Sequence, residues 1–196
     1  MKRLGILLSG RGSNFQAIHR AIEQGELQAE IACVISNVPD AGGLVYARGK
    51  GLRVYAMESR GIHRAEFDRR VIEVLDGDGV ELICLAGYMR LLSTDFTSTY
   101  SRKILNIHPS LLPAFPGLHA QRQALEHGVK ITGCTVHWVD EGLDTGPIID
   151  QAHVRVEPND TEEMLSARIL VQEHKLYPAT IQKIVSAKAL KTITAS

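Results

Sequence analysis

The chain has 196 residues, 44% hydrophobic and 22% charged, which suits one well-buried domain and is short for two. Its 22 Lys and Arg balance 22 Asp and Glu, so the formal net charge is zero, which argues against a sequence-independent grip on nucleic acid. The first apolar run ends at Leu8, too short for a secretory leader or a membrane span, so a cytoplasmic protein with no membrane partner is expected.

Residues 4–8 form a continuous apolar run that reads as a buried parallel strand. It feeds Ser9-Gly10-Arg11-Gly12-Ser13-Asn14, after which Phe15, Ala17, Ile18 and Ile22 carry helical spacing. Strand, Gly-rich turn and helix start make an arrangement suited to phosphate, because glycines allow close backbone approach and free N–H groups favour an anion. The same residues also fit a plain tight turn with Ser13 as helix cap. Residues 30–36 read as a second strand, 41–50 as a helix ended by Gly51, and 53–57 as a short third strand.

A polar loop at 60–64 precedes an amphipathic helix marked by Phe67, Val71, Ile72, Val74 and Leu75. His19 and His63 have no evident partners and read as surface residues. Residues 81–86 make the fourth strand, followed by Gly87-Tyr88-Met89-Arg90-Leu91-Leu92, whose apolar members fit ordinary core or a ligand pocket. Ser93 or Thr94 can cap a short helix running to Tyr100. Cys33, Cys84 and Cys134 sit within apolar runs and read as buried free thiols in a reducing compartment.

The fifth strand ends in Asn106-Ile107-His108-Pro109. Asn106 and His108 are two apart, so on an extended chain they point the same way, and Pro109 ends regular pairing. An amide can donate to a developing oxyanion; an imidazole can donate or move a proton. A satisfied turn is the other reading of that pair. Pro113, Pro116 and Gly117 stiffen the next loop, and 119–127 reads as a short helix. Residues 131–139 alternate, with Val136 and Trp138 on one side and Thr135 and His137 on the other. The short connection to a strand over 147–156 favours antiparallel pairing. A final helix begins near 158–163; Pro178 is expected to kink or divide it, and residues 188–196 to form a loosely held end.

Strands alternating with helices imply an α/β fold, an open, mostly parallel twisted sheet with helices on both faces and a Rossmann-like N-terminal half. No linker or repeat divides the chain, so 1–196 reads as one domain.

Asn106-Ile107-His108-Pro109-Ser110-Leu111-Leu112-Pro113 resembles the signature of the folate-dependent formyltransferase family. Asp140-Glu141-Gly142-Leu143-Asp144-Thr145-Gly146-Pro147 resembles the segment carrying that family's catalytic aspartate, here Asp144. The likeness runs along nearly the whole chain and is greatest for the branch acting on glycinamide ribonucleotide. It implies that Asn106, His108 and Asp144 are catalytic and that Gly12, Ser13 and Asn14 hold the ribonucleotide phosphate. Glu173 would touch the ribonucleotide as well. It further implies that Arg64, Met89, Arg90, Leu91, Leu92, Asn106, Asp140 and Asp144 surround the co-substrate 10-formyltetrahydrofolate. Residues 1–100 would then be the phosphate-binding half and 101–196 the catalytic, folate-binding half.

The implied reaction is direct attack by the ribonucleotide amine, with oxyanion stabilisation by Asn106 and His108 and proton transfer assisted by Asp144. A carboxylate at Asp144 would favour the His108 imidazolium. No metal is expected, because the histidines are scattered without a ligand-spaced motif. Small-molecule substrates and a monomer or homodimer are expected. The alternatives are another folate-dependent formyltransferase, a formyltetrahydrofolate hydrolase, or a non-catalytic phosphate-ligand-binding module. The first strand starts at once and the last helix ends near residue 196, so no added regulatory or RNA-binding domain is expected.

Overall fold

The computed structural model describes the backbone of residues 1–193 and the side chains of residues 1–187. In chain order the elements are β1 (Lys2–Leu8), α1 (Ser13–Glu23), β2 (Ala29–Ser36), α2 (Gly42–Gly49), β3 (Val54–Ala56), α3 (Arg64–Gly77), β4 (Leu82–Leu85) and α4 (Thr94–Thr99). They continue with β5 (Ile104–His108), α5 (Ala120–Glu126), β6 (Ile131–Trp138), β7 (Ile148–Arg155) and α6 (Glu162–Ile193). The seven strands form one sheet in the order β3-β2-β1-β4-β5-β6-β7. The pairings from β3 to β5 are parallel, β6 adds antiparallel to β5, and β7 adds antiparallel to β6. The mostly parallel open α/β sheet is as the sequence implied.

The period of two along each strand sorts the core into two layers. Leu4, Ile6, Val34, Cys84, Leu105 and Val136 face a layer completed by Phe15 and Ile18 of α1, Leu44 of α2, and Leu165, Ile169 and Tyr177 of α6. Leu7, Ile35, Ile83, Leu85 and Ile104 face the opposite layer, closed by Phe67, Val71 and Leu75 of α3 and by Phe96 of α4. Every one of these side chains is buried, and burying one such side chain contributes about 1.5–3 kcal/mol. The three cysteines are free and buried, and burial pushes each thiol up to about 12.

Several expectations are corrected. Pro178 does not divide the last helix; α6 runs through it, held to the sheet by Tyr177 on the preceding residue. The Tyr177 hydroxyl lies 3.1 Å from the Leu85 carbonyl and 3.0 Å from that of Leu105, so it fastens α6 to β4 and β5 where they approach the site. His19 is buried rather than exposed, with Nδ1 3.0 Å from the Tyr46 hydroxyl, because α2 packs across that face of α1. Ser13 is not a cap: Gly12 holds that position with φ 69°, and no side chain caps the helix. Ser93 does cap α4, its side chain accepting the Phe96 N–H. The loosely held end expected over 188–196 lies outside the described side chains and, from residue 194, outside the described backbone.

Candidate active site

After β3 the chain returns to the other side of β1 and lays down β4, so the loops leaving β1 and β4 diverge. Such a switch point opens a crevice outside the carboxyl ends of the strands, where ligands of open α/β sheets bind. Four segments meet around it: residues 9–14 after β1, 87–92 after β4, the end of β5, and the β6–β7 loop at 139–147.

At the first segment the left-handed Gly12 turns β1 into α1, and a Cβ there would come within 3.2 Å of the Gly43 backbone. Without a side-chain cap, the first-turn N–H groups of α1 stay free of any protein acceptor on that account and favour an anion. Asn14, two residues after Gly12, is buried. Its Nδ2 donates to Glu173 Oε2 at 2.7 Å, while its Oδ1 has no protein partner. Burial raises the Glu173 pKa, and the Asn14 hydrogen bond offsets only part of that. The Gly12, Ser13, Asn14 and Glu173 group therefore forms one patch, distant in sequence and joined by the α1–α6 contact.

The second patch surrounds a cavity of about 200 Å³ lined by Arg64, Tyr88, Arg90, Leu91, Leu92, Asn106, His137 and residues 139–144. Arg64, Arg90, Leu91, Leu92, Asn106, Asp140 and Asp144 are thus brought together. Met89 is not in this lining: its side chain is 71% exposed and its backbone N–H is turned to Ser9 Oγ. Leu91 is exposed too, so neither belongs to the core. Arg90 lies over the Phe67 ring, 4.7 Å from its centroid, which fixes the guanidinium at the cavity wall.

Asn106, His108 and Asp144 converge. His108 Nδ1 is 3.3 Å from Asp144 Oδ2, with the two side chains only 6% and 11% exposed. His108 Nε2 is 2.9 Å from the Phe115 carbonyl. Both ring nitrogens therefore face oxygen acceptors. Asp144 itself adopts φ 55°, a left-handed backbone that Asp tolerates better than most residues. Its Oδ2 also accepts the Gly117 N–H at 2.8 Å. Burial alone would raise the Asp144 pKa. The His137 ring, the Gly117 N–H and the charge of His108 together outweigh burial and hold the carboxyl below its ordinary range.

A fourth group was not singled out from sequence. His137 is paired across the sheet with Asn106, and its Nε2 lies 3.2 Å from Asn106 Nδ2 and 3.6 Å from Asp144 Oδ1. Its Nδ1 faces the Trp138 carbonyl at 2.9 Å, so Nδ1 carries a proton. Nε2 thus stands between the Asn106 amide and the Asp144 carboxylate, and the ring bears on the position of both. The signal was present, because alternation put Thr135 and His137 on one side of an otherwise apolar strand. Thr135 also has a use: its hydroxyl accepts the Leu112 N–H at 3.0 Å and donates to the Ser110 carbonyl at 2.7 Å. Those bonds pin the loop that carries Phe115. Among the described residues, no His, Cys, Asp and Glu side chains group as a metal site would require. No described helix is long and apolar enough to cross a membrane.

Fold and site together define an α/β enzyme with an amide, an imidazole and a carboxylate gathered beside a switch-point crevice. A family model described as formyl transferase matches residues 2–181. The phosphoribosylglycinamide formyltransferase of Bacillus subtilis (strain 168) is 43% identical over 186 residues, covering 94% of this chain and 95% of that protein. That of Escherichia coli (strain K12) is 44% identical over 177 residues, covering 90% and 84%. The crystal structure of glycinamide ribonucleotide transformylase 1 from Symbiobacterium toebii superposes with a TM-score of 0.93 at 50% identity, covering 95% of this chain and 89% of that one. The chain belongs to the formyl transferase family.

Proposed function

We propose that this enzyme transfers the formyl group of 10-formyltetrahydrofolate to the amino group of glycinamide ribonucleotide, a step of purine biosynthesis in the cytoplasm. The family match and the phosphoribosylglycinamide formyltransferases among its relatives support that reading. The observation that carries it within the molecule is the meeting of Asn106, His108 and Asp144 at the edge of a cavity, beside an uncapped, Gly-led helix start.

Gly12, Ser13 and Asn14 hold the ribonucleotide phosphate against the first turn of α1, and the buried Glu173 accepts from its polar groups. The formyl donor occupies the cavity between residues 88–92 and 139–144, with Arg64 and Arg90 at its rim. A free amine is already a nucleophile, so the protein supplies position, oxyanion stabilisation and a proton path. The amine nitrogen attacks the formyl carbon, and the carbonyl electrons move to oxygen. Asn106 Nδ2, oriented by His137, donates to that oxygen. His108 Nε2 donates as well once the oxyanion, a stronger acceptor, displaces the Phe115 carbonyl. Asp144 holds the His108 ring through Nδ1. The amine proton then passes to the folate nitrogen, the carbon–nitrogen bond to folate breaks, and tetrahydrofolate leaves.

The direct test mixes the purified protein with 10-formyltetrahydrofolate and glycinamide ribonucleotide and follows tetrahydrofolate release. Release that requires the ribonucleotide is the expected result. Release in water alone, or none, overturns the assignment.

A further inference from the structure

The two ligand patches are joined by a chain of hydrogen bonds that the catalytic reading does not use. Ser9 stands at the end of β1, where the phosphate loop begins. Its backbone N–H donates to the Gly87 carbonyl at 2.9 Å, and its Oγ accepts the Met89 N–H at 2.8 Å. The Ser9 hydroxyl in turn donates to Asn37 Oδ1 at 2.5 Å, and Asn37 Nδ2 donates to Ser59 Oγ at 3.3 Å. From the Met89 N–H onward the donors point one way, from the end of β4 past β1 and β2 to Ser59 beyond β3, while the Ser9 backbone N–H donates back to the Gly87 carbonyl. Each hydroxyl both donates and accepts or lies at the terminus, so no member competes with another. Such one-directional chains polarise and strengthen their members. Asn37 and Ser9 are half-buried and Ser59 is buried, so water does not readily replace the bonds.

The place of the relay decides its consequence. Ser9 begins the segment that carries Gly12, Ser13 and Asn14, and Gly87 and Met89 begin the segment that carries Arg90, Leu91 and Leu92. A single side chain therefore ties the floor of one ligand patch to the wall of the other. We propose that Ser9, braced by Asn37 and Ser59, is a positioning residue that couples the two substrate sites, so that a ligand on the phosphate loop stiffens the 87–92 wall and tightens binding in the neighbouring cavity. This rests on the functional reading above. Ordering either loop constrains the other through Ser9, so the second ligand meets a segment already held in its bound form. Linkage requires the effect to be reciprocal.

The test uses a dead-end pair that cannot react: tetrahydrofolate, which carries no formyl group, and glycinamide ribonucleotide. Calorimetry gives the tetrahydrofolate affinity with and without saturating ribonucleotide, for the wild type, Ser9→Ala and Asn37→Ala. The wild type should bind tetrahydrofolate about fivefold or more tightly with ribonucleotide present, within the usual range of coupling between sites. In Ser9→Ala that factor should fall to near one, and Ser9→Thr, which keeps the hydroxyl, should restore it. Asn37→Ala, which leaves the Ser9 hydroxyl able to accept the Met89 N–H, should fall between. A merely structural role would lower the melting temperature without changing the factor. Wild-type coupling preserved in both alanine variants, or a wild type that binds both ligands independently, overturns the proposal. A wild type that binds neither ligand overturns the functional reading instead, and the proposal with it.

Discussion

Replacing Asp144 by Asn removes the charge beside His108 while keeping the side chain's shape. The Asn carbonyl oxygen can still accept the Gly117 N–H, so the loop stays in place. What is lost is the anion 3.3 Å from His108 Nδ1. At that separation an effective dielectric near 20 sets a ceiling of about 5 kcal/mol on the attraction. The net worth of a hydrogen bond between charged groups is lower, about 1.5–3 kcal/mol. Asp144 is only 11% exposed, so solvent screens the pair little. If the imidazolium is needed at the transition state, turnover falls by about 10- to 150-fold. The proposed phosphate patch lies on other elements, so the ribonucleotide KM should stay within about twofold. The assay is steady-state tetrahydrofolate release at saturating 10-formyltetrahydrofolate. In Asp144→Asn the further change His108→Gln should lower turnover again, because the ring's Nε2 donor to the oxyanion is then lost as well. A kcat within about threefold of wild type, or a loss carried wholly by ribonucleotide KM, refutes the reasoning.

Glu173→Gln tests the buried carboxyl. Burial raises its folded pKa above the unfolded value of 4.5, so the folded state prefers the protonated form. The associated stability is present below pH 4.5 and is lost as pH rises through the folded pKa. The variant should therefore gain in urea midpoint relative to wild type as pH rises above 4.5; a difference flat with pH contradicts this. Tyr177→Phe leaves two buried carbonyls without the hydroxyl that fastens α6, costing about 1–2 kcal/mol and lowering the melting temperature by roughly 2–8 °C. An unchanged melting temperature would show that the hydroxyl contributes nothing. Gly133→Ala would place a Cβ 1.9 Å from the Ala152 carbonyl oxygen and should open the β6–β7 pairing, seen as faster amide exchange across both strands. Protection equal to wild type would contradict that. The three thiols, pushed up to about 12 by burial, should resist a thiol reagent in the native protein and all react in denaturant.

Much of the fold could be read from apolar runs alone. Residues 4–8, 32–36 and 82–86 are buried on both faces, so they stand out without alternation, and only a covered parallel sheet accommodates that. The antiparallel return of β7 followed from the shortness of its connection. The placing of Asn106 and His108 on one side followed from the two-residue period, and the structure adds that they are braced rather than free. What sequence did not supply was tertiary in origin. His137 became visible only when β6 lay beside β5, since its meaning depends on the Asn106 register. His19 carries a polar label but is buried, because Tyr46 on another helix supplies its partner. Met89 and Leu91 look like core by type, yet they rim the crevice. Pro178 looks like a break, but packing of α6 against the sheet overrides the lost hydrogen bond. The engagement of His108 Nε2 by the Phe115 carbonyl lay beyond any local pattern.

A structure with glycinamide ribonucleotide and a non-transferring 10-formyltetrahydrofolate analogue bears most directly on the mechanism. Asn106 Nδ2 and His108 Nε2 should both lie within about 3.2 Å of the formyl-position oxygen, with His108 released from Phe115 and the amine within bonding approach of the carbon. His108 still bound to the Phe115 carbonyl, with that oxygen seated out of reach of Asn106, would contradict the account.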